Sequence, residues 1–156
     1  MARFRYKMQS ILDIKEKLES KAKQDFAAAN KRLQEEMDKL EQLKLRKEQY
    51  LEEGVRLRTE VLDIQKLKEN KMAVLKMDEY IQLQNMEIKK AAKAVEAARA
   101  VLQEVMQERK VHEKLKENAF QDFLKEEQAN ENKEIDQLTT YTHGQKLMEE
   151  KTSKNG

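Results

Sequence analysis

Cysteine and tryptophan are absent, proline is absent, and glycine occurs only at Gly54, Gly144 and Gly156. Without cysteine the chain has no disulfide and no thiolate metal ligand, a usage that suits a reducing cytosol. Aromatic residues make up only 5% of the sequence, too few large rings and too little apolar mass for a compact globular core. No apolar run exceeds four residues, as in Phe26–Ala29 and Met72–Leu75, so no segment reads as a membrane span. Arg3, Arg5 and Lys7 near the N-terminus are followed by no apolar stretch of the kind a secretory signal carries. Nor is charge of one sign in excess: 32 basic residues face 30 acidic ones over 156 residues, for a net charge of +2. That balance provides no basic field for nucleic acid, and no zinc-finger, RNP or basic-zipper pattern occurs.

What remains is charge and periodicity. Asp, Glu, Lys and Arg make up 40% of the chain. High charge with low hydrophobicity is also the mark of disorder. Two features oppose that reading: the charges nearly cancel, and the apolar residues recur with a helical period. From Met8 they run Ile11, Leu18, Ala22, Phe26, Ala29, Leu33, Met37, Leu40, Leu43 and Tyr50, mostly in steps of three, four and seven. In the second half Ile81, Ile88, Val95 and Leu102 repeat every seven residues, and the series continues through Arg109 and Lys116 to Phe123. Ala91, Ala98, Val105, His112 and Ala119 lie three residues after members of that series, completing an a/d seam.

The fold expected is all-α: a long antiparallel two-helix coiled-coil hairpin with a frayed C-terminal tail. Six alanines between Ala91 and Ala100 offer small partners to the bulkier first half, so the two halves suit each other. Helix 1 is expected over about 4–62, a turn within 55–75, and helix 2 over about 70–140. Together they form one domain over 1–141, followed by a polar tail over 142–156. Two alignments satisfy the pattern. If facing residue numbers add to about 131, Phe26 meets Val105, Leu33 meets Ala98, Leu40 meets Ala91, Leu43 meets Ile88 and Tyr50 meets Ile81. If they add to about 145, Phe26 meets Ala119 and Glu36 meets Arg109. Periodicity alone does not choose between them. Gly54 is the one helix-weakening residue near the expected turn.

Catalysis needs groups fixed in a sheltered pocket, and two paired helices form a seam instead. The chain therefore reads as a non-enzyme with no cofactor, no metal and no small-molecule substrate. His112, at a seam position, reads as a part-buried polar core residue, since no further metal ligand recurs at helical spacing. His143 lies in the expected tail and needs no role. The carboxylates alternate with Lys and Arg as a solvated helix face does. Phe4, Tyr6, Phe26, Phe120 and Phe123 gather where the two ends of the chain would meet. Their ordinary reading is a clamp on the termini, with a partner-docking surface as the alternative.

The opening Phe4-Arg-Tyr-Lys-Met-Gln-Ser-Ile-Leu-Asp-Ile14, followed by Glu16, Lys23 and Phe26, resembles the start of the FliJ family of flagellar export proteins. Tyr80-Ile-Gln-Leu-Gln-Asn-Met-Glu-Ile88 is similar to that family's central segment. Glu108-Arg-Lys-Val-His-Glu-Lys-Leu-Lys-Glu117 and Glu131-Asn-Lys-Glu-Ile-Asp136 resemble its second helix and its ending. The family commonly has a glycine turn about a dozen residues before the central aromatic, whereas Gly54 precedes Tyr80 by 26. An extra heptad on each arm accounts for that and puts the turn near residue 65.

The resemblance implies a component of the flagellar type III export apparatus. It would link the hexameric export ATPase to the membrane export gate and hand over empty export chaperones. Carried over by position, Leu43, Tyr50 and Tyr80 match the surface for the cytoplasmic linker of the gate, with Arg46, Gln84 and Glu87 more polar than in some members. Arg3, Arg5 and Lys7 are candidates for the ATPase contact. The implied location is cytoplasmic, peripheral at the inner face of the cell membrane and held there only through partners. A central-stalk subunit of a rotary ATPase and a generic homodimeric coiled-coil scaffold are the alternatives.

Overall fold

The computed structural model describes residues 2–155 and contains two helices, α1 (Gln9–Thr59) and α2 (Ile64–Lys154), with no strand among the described residues. The protein is all-α. The chain divides into two compact units, Met1–Lys15 with Glu108–Gly156, and Glu16–Gln107.

In the Glu16–Gln107 unit, α1 and α2 run antiparallel across a connection of residues 60–63. No glycine makes this turn. Asp63 does, by capping α2: its Oδ1 accepts the backbone N–H groups of Gln65 at 3.0 Å and Lys66 at 3.3 Å. Those are two of the donors that a helix start leaves unmatched, and such a cap is worth roughly 1 kcal/mol. On the other side Thr59 Oγ1 donates to the Arg56 carbonyl at 3.0 Å, closing the last turn of α1.

Cross-helix contacts set the alignment of this unit. Gln84 reaches Glu36, Asn70 reaches Tyr50, Lys47 pairs with Asp78 and Arg99 lies over Phe26. These partner numbers add to between 120 and 125, one heptad below the alignment near 131 and three below that near 145. The connection at 60–63 accordingly precedes residue 65. The matching of large to small survives the shift, because the pattern repeats every seven residues: Leu33 now stands opposite Ala91, and Phe26 opposite Ala98. Ala22, Met77, Ala91 and Val95 are the buried apolar residues of this unit. The core is a single seam, so most large apolar side chains keep one side in water.

Gly54 lies inside α1 and is buried. A Cβ added there would come within 2.5 Å of Asn70 Oδ1. Its missing side chain lets α2 approach the backbone of α1, which is why a helix-weakening residue persists in mid-helix.

In the other unit the segment before α1 and its first turns pack on α2 beyond Glu108. Leu12 is the buried apolar residue here, and Lys15 Nζ meets Glu108 Oε2 at 2.9 Å. Phe4, Phe120 and Phe123 form a three-ring cluster, with Phe4 5.2 Å from Phe120 in an edge-on arrangement and 5.4 Å from Phe123. The non-helical start of the chain is thus clamped to α2. Phe26 takes no part in that cluster; it belongs to the other unit, under the Arg99 guanidinium at 5.5 Å.

The expected frayed tail is helical. α2 continues through Gly144 to Lys154, although every described residue from 128 onward is exposed. A fading apolar pattern removes the packing face but leaves backbone hydrogen bonding intact, and no proline interrupts it. Thr139, Thr140, Thr142 and Thr152 each turn their hydroxyl onto the carbonyl four residues back.

Candidate docking face of the hairpin

The seam of the Glu16–Gln107 unit spaces its apolar residues three and four apart, and the side chains just off the seam form its flanks. On α2, Tyr80, Leu83, Glu87 and Lys90 fall at steps of three and four and so share one flank. This row and Leu43 of α1 line a shallow groove together with Gln84 and Met86. Tyr80 is 42% exposed, Leu83 60% and Met86 57%, so the two helices leave a row of apolar side chains uncovered. Lys76 Nζ stands 5.7 Å from the Tyr80 ring centre and shields one face of the ring.

Of the three residues expected at the gate-binding surface, the structure brings Leu43 and Tyr80 together. Tyr50 stands apart. The alignment near 131 would put it opposite Ile81 and next to Tyr80; the observed alignment puts it opposite Val74. Tyr50 is half-buried and borders two other hollows, one on α1 with Gln42, Leu45, Arg46 and Glu53, the other between the helices with Leu57, Lys66 and Asn70. The Arg46 guanidinium lies 6.0 Å from its ring centre. Arg3, Arg5 and Lys7 are exposed in the other unit, before α1.

Leu45, Leu83 and Met86 were missed by the sequence reading. Their signal was present: each is a large apolar residue off the seam, where the pattern calls for a polar one.

The electrostatics of the face centre on one polar crossing beside it. Gln84 Nε2 donates to Glu36 Oε2 at 2.6 Å and to the Glu36 carbonyl at 2.8 Å. This hydrogen bond holds the Glu36 carboxyl below its ordinary range, with help from Lys39 and Arg32 and against the opposing effect of partial burial. Further along, Lys47 Nζ meets Asp78 Oδ1 at 2.7 Å. That ion pair is part-exposed and worth at most about 1 kcal/mol. His112, in the other unit, has a buried Nδ1 with no hydrogen-bond partner. No group of three or more His, Cys, Asp or Glu residues among the described ones is placed to hold a metal ion.

The family model of the flagellar FliJ protein matches residues 4–147, nearly the whole chain. The chain belongs to the FliJ family. Membership makes it a component of flagellar protein export, and the family is a non-enzymatic one. No curated protein and no solved structure matches it. The family match spans residues of both units, so Arg5, Lys7 and the groove around Tyr80 fall within it, while Arg3 lies just before its start. No helix among the described residues of this FliJ-family chain is long and apolar enough to cross a membrane.

Proposed function

We propose that this FliJ-family chain couples the hexameric export ATPase to the export gate and assists the turnover of export chaperones. The observation that supports this most directly is the groove of Leu43, Tyr80, Leu83 and Met86. Exposed apolar surface of this kind, rimmed by polar groups, marks a binding site, and a segment of the gate's cytoplasmic linker is the occupant we assign. Its rim carries both signs of charge, in Lys76, Glu87 and Lys90, which suits an oriented contact that must also release. Tyr50 flanks the same hairpin nearer the connection and adds a second contact. Arg3, Arg5 and Lys7, exposed beside the aromatic clamp, serve as the ATPase contact. The location follows from the partners: cytoplasmic, and peripheral at the membrane through the gate.

The test has two arms on the full chain. Tyr80→Ala combined with Leu83→Ala is expected to weaken binding of the gate linker at least tenfold by calorimetry, with helicity unchanged. Undiminished binding overturns the gate assignment. In the second arm, ATP hydrolysis by the export ATPase is followed on titration with the chain. Saturable stimulation that is lost in an Arg3→Glu/Arg5→Glu/Lys7→Glu variant supports the ATPase contact, and no stimulation by the wild type removes it.

A further inference from the structure

Within the Glu16–Gln107 unit, two side-chain amides cross from α2 to α1. Gln84 donates to the side chain and carbonyl of Glu36, and Asn70 donates to the carbonyl of Tyr50 at 2.7 Å. The two crossings are spaced identically on both helices. Glu36 to Tyr50 is two heptads, and Asn70 to Gln84 is two heptads. Midway between them lies the layer of Leu43 and the buried Met77, and the Leu43–Tyr80 groove opens on its flank.

We propose that Glu36, Gln84 and Asn70 are register-setting residues, holding the helices in the one alignment that builds the docking groove. The inference rests on reading that groove as the docking face. Apolar burial is non-directional and cannot choose among alignments that differ by whole heptads. Slipped by seven residues, Leu33 would still meet an alanine, Leu43 would meet Ile88 and Tyr50 would meet Ile81. The polar residues do discriminate. In the slipped alignment Glu36 would face Val95 and Asn70 would face Val61. Glu36 would then lose Gln84 and keep only Lys39 of its own helix, and Asn70 would lose the Tyr50 carbonyl. Polar groups set against apolar side chains without their hydrogen bonds are disfavoured. A single buried polar residue sets register in coiled coils in the same way, at some cost in stability. The connection does not prevent the slip. With no proline near residues 60–63, the reversal can move three or four residues by unwinding the first turn of α2 and giving up the Asp63 cap. A slipped hairpin would place Tyr50 beside Tyr80 and carry Leu43 away from it, dismantling the groove at the cost of only the first turn of α2.

The absence of cysteine permits a direct test. Nitroxide labels on cysteines introduced at the exposed Gln42 and Gln82 report the alignment by pulsed electron resonance on the full chain. With Glu36, Gln84 and Asn70 in place, one distance is expected. In a Glu36→Leu/Gln84→Leu/Asn70→Ala variant a second population is expected, from an axial displacement of about 10 Å, the rise of seven helical residues. Helicity should persist, and the melting temperature should be equal or higher. A single unchanged distance overturns the proposal. If the triple variant loses helicity, the milder Asn70→Ala/Gln84→Ala pair is read the same way, and a single distance there overturns it. Gate-linker binding measured in parallel keeps the two readings apart. A second distance population with no linker binding even by wild type removes the docking role and leaves register setting in place.

Discussion

Asn70 donates its side-chain amide to the main-chain carbonyl of Tyr50 at 2.7 Å, passing over Gly54, where any side chain would obstruct it. A glycine within α1 and an asparagine on α2 thus form one device, which neither residue reveals alone. The contact also explains why Gly54 lies within α1 and does not make the turn.

Gly54→Ala brings two opposed effects of similar size. Alanine favours the helix over glycine by about 1 kcal/mol, while displacing Asn70 forfeits a hydrogen bond worth about 1 kcal/mol. The single substitution should therefore change stability little in urea titrations. In an Asn70→Ala background, with nothing left to displace, the same substitution should stabilise by about 1 kcal/mol. Additive effects of the two substitutions would rule out their coupling.

Leu33→Asp places a carboxylate in the seam opposite Ala91, which is 1% exposed. A loss of at least about 2 kcal/mol is expected, seen as a lowered thermal midpoint by circular dichroism. Gln24→Asp, on the exposed side of the same helix, should leave the midpoint almost unchanged. Equal effects at both positions would mean that Leu33 is not in the seam.

Glu36 confers a pH dependence of known sign. Its carboxyl titrates below the ordinary range because Gln84 hydrogen-bonds the charged form. A group depressed in the folded state contributes stability that is fully present above its unfolded pKa, and that contribution disappears as pH falls through the folded value. The wild type should therefore lose stability on acidification into and below the ordinary carboxylate range. Glu36→Gln should remove that part of the loss, so the two melting curves should converge at low pH.

Phe4→Ala removes the ring that touches both Phe120 and Phe123. Ring pairs of this geometry are worth about 0.5–1.5 kcal/mol each beyond their burial. Amide exchange over residues 2–8 should speed up and proteolysis there increase, while total helicity stays the same. Unaltered exchange in that segment would show that the clamp does not hold it.

Helical content, antiparallel pairing and the large-against-small seam were legible because they depend on periodicity, which a single chain displays. The aromatic clamp was legible in part, since Phe4, Phe120 and Phe123 carry an apolar excess at the two ends of the sequence. Phe26 lies outside it, because sequence proximity to the terminus says nothing about which unit a ring joins. The helix after residue 141 is not legible in the pattern, since a weak apolar periodicity carries no sign of it although a run free of proline keeps its hydrogen bonds.

The sequence by itself determined that two helices form, which faces they bury and that the chain resembles FliJ-family proteins. Only the tertiary structure decided the alignment, and with it that Leu43 and not Tyr50 stands beside Tyr80. The reason is physical. A seven-residue repeat is the same after every shift of seven, so hydrophobic burial leaves several alignments nearly equal. The choice falls to a few directional bonds, from Gln84 to Glu36 and from Asn70 over Gly54 to Tyr50, whose partners can be recognised only when both helices are in place.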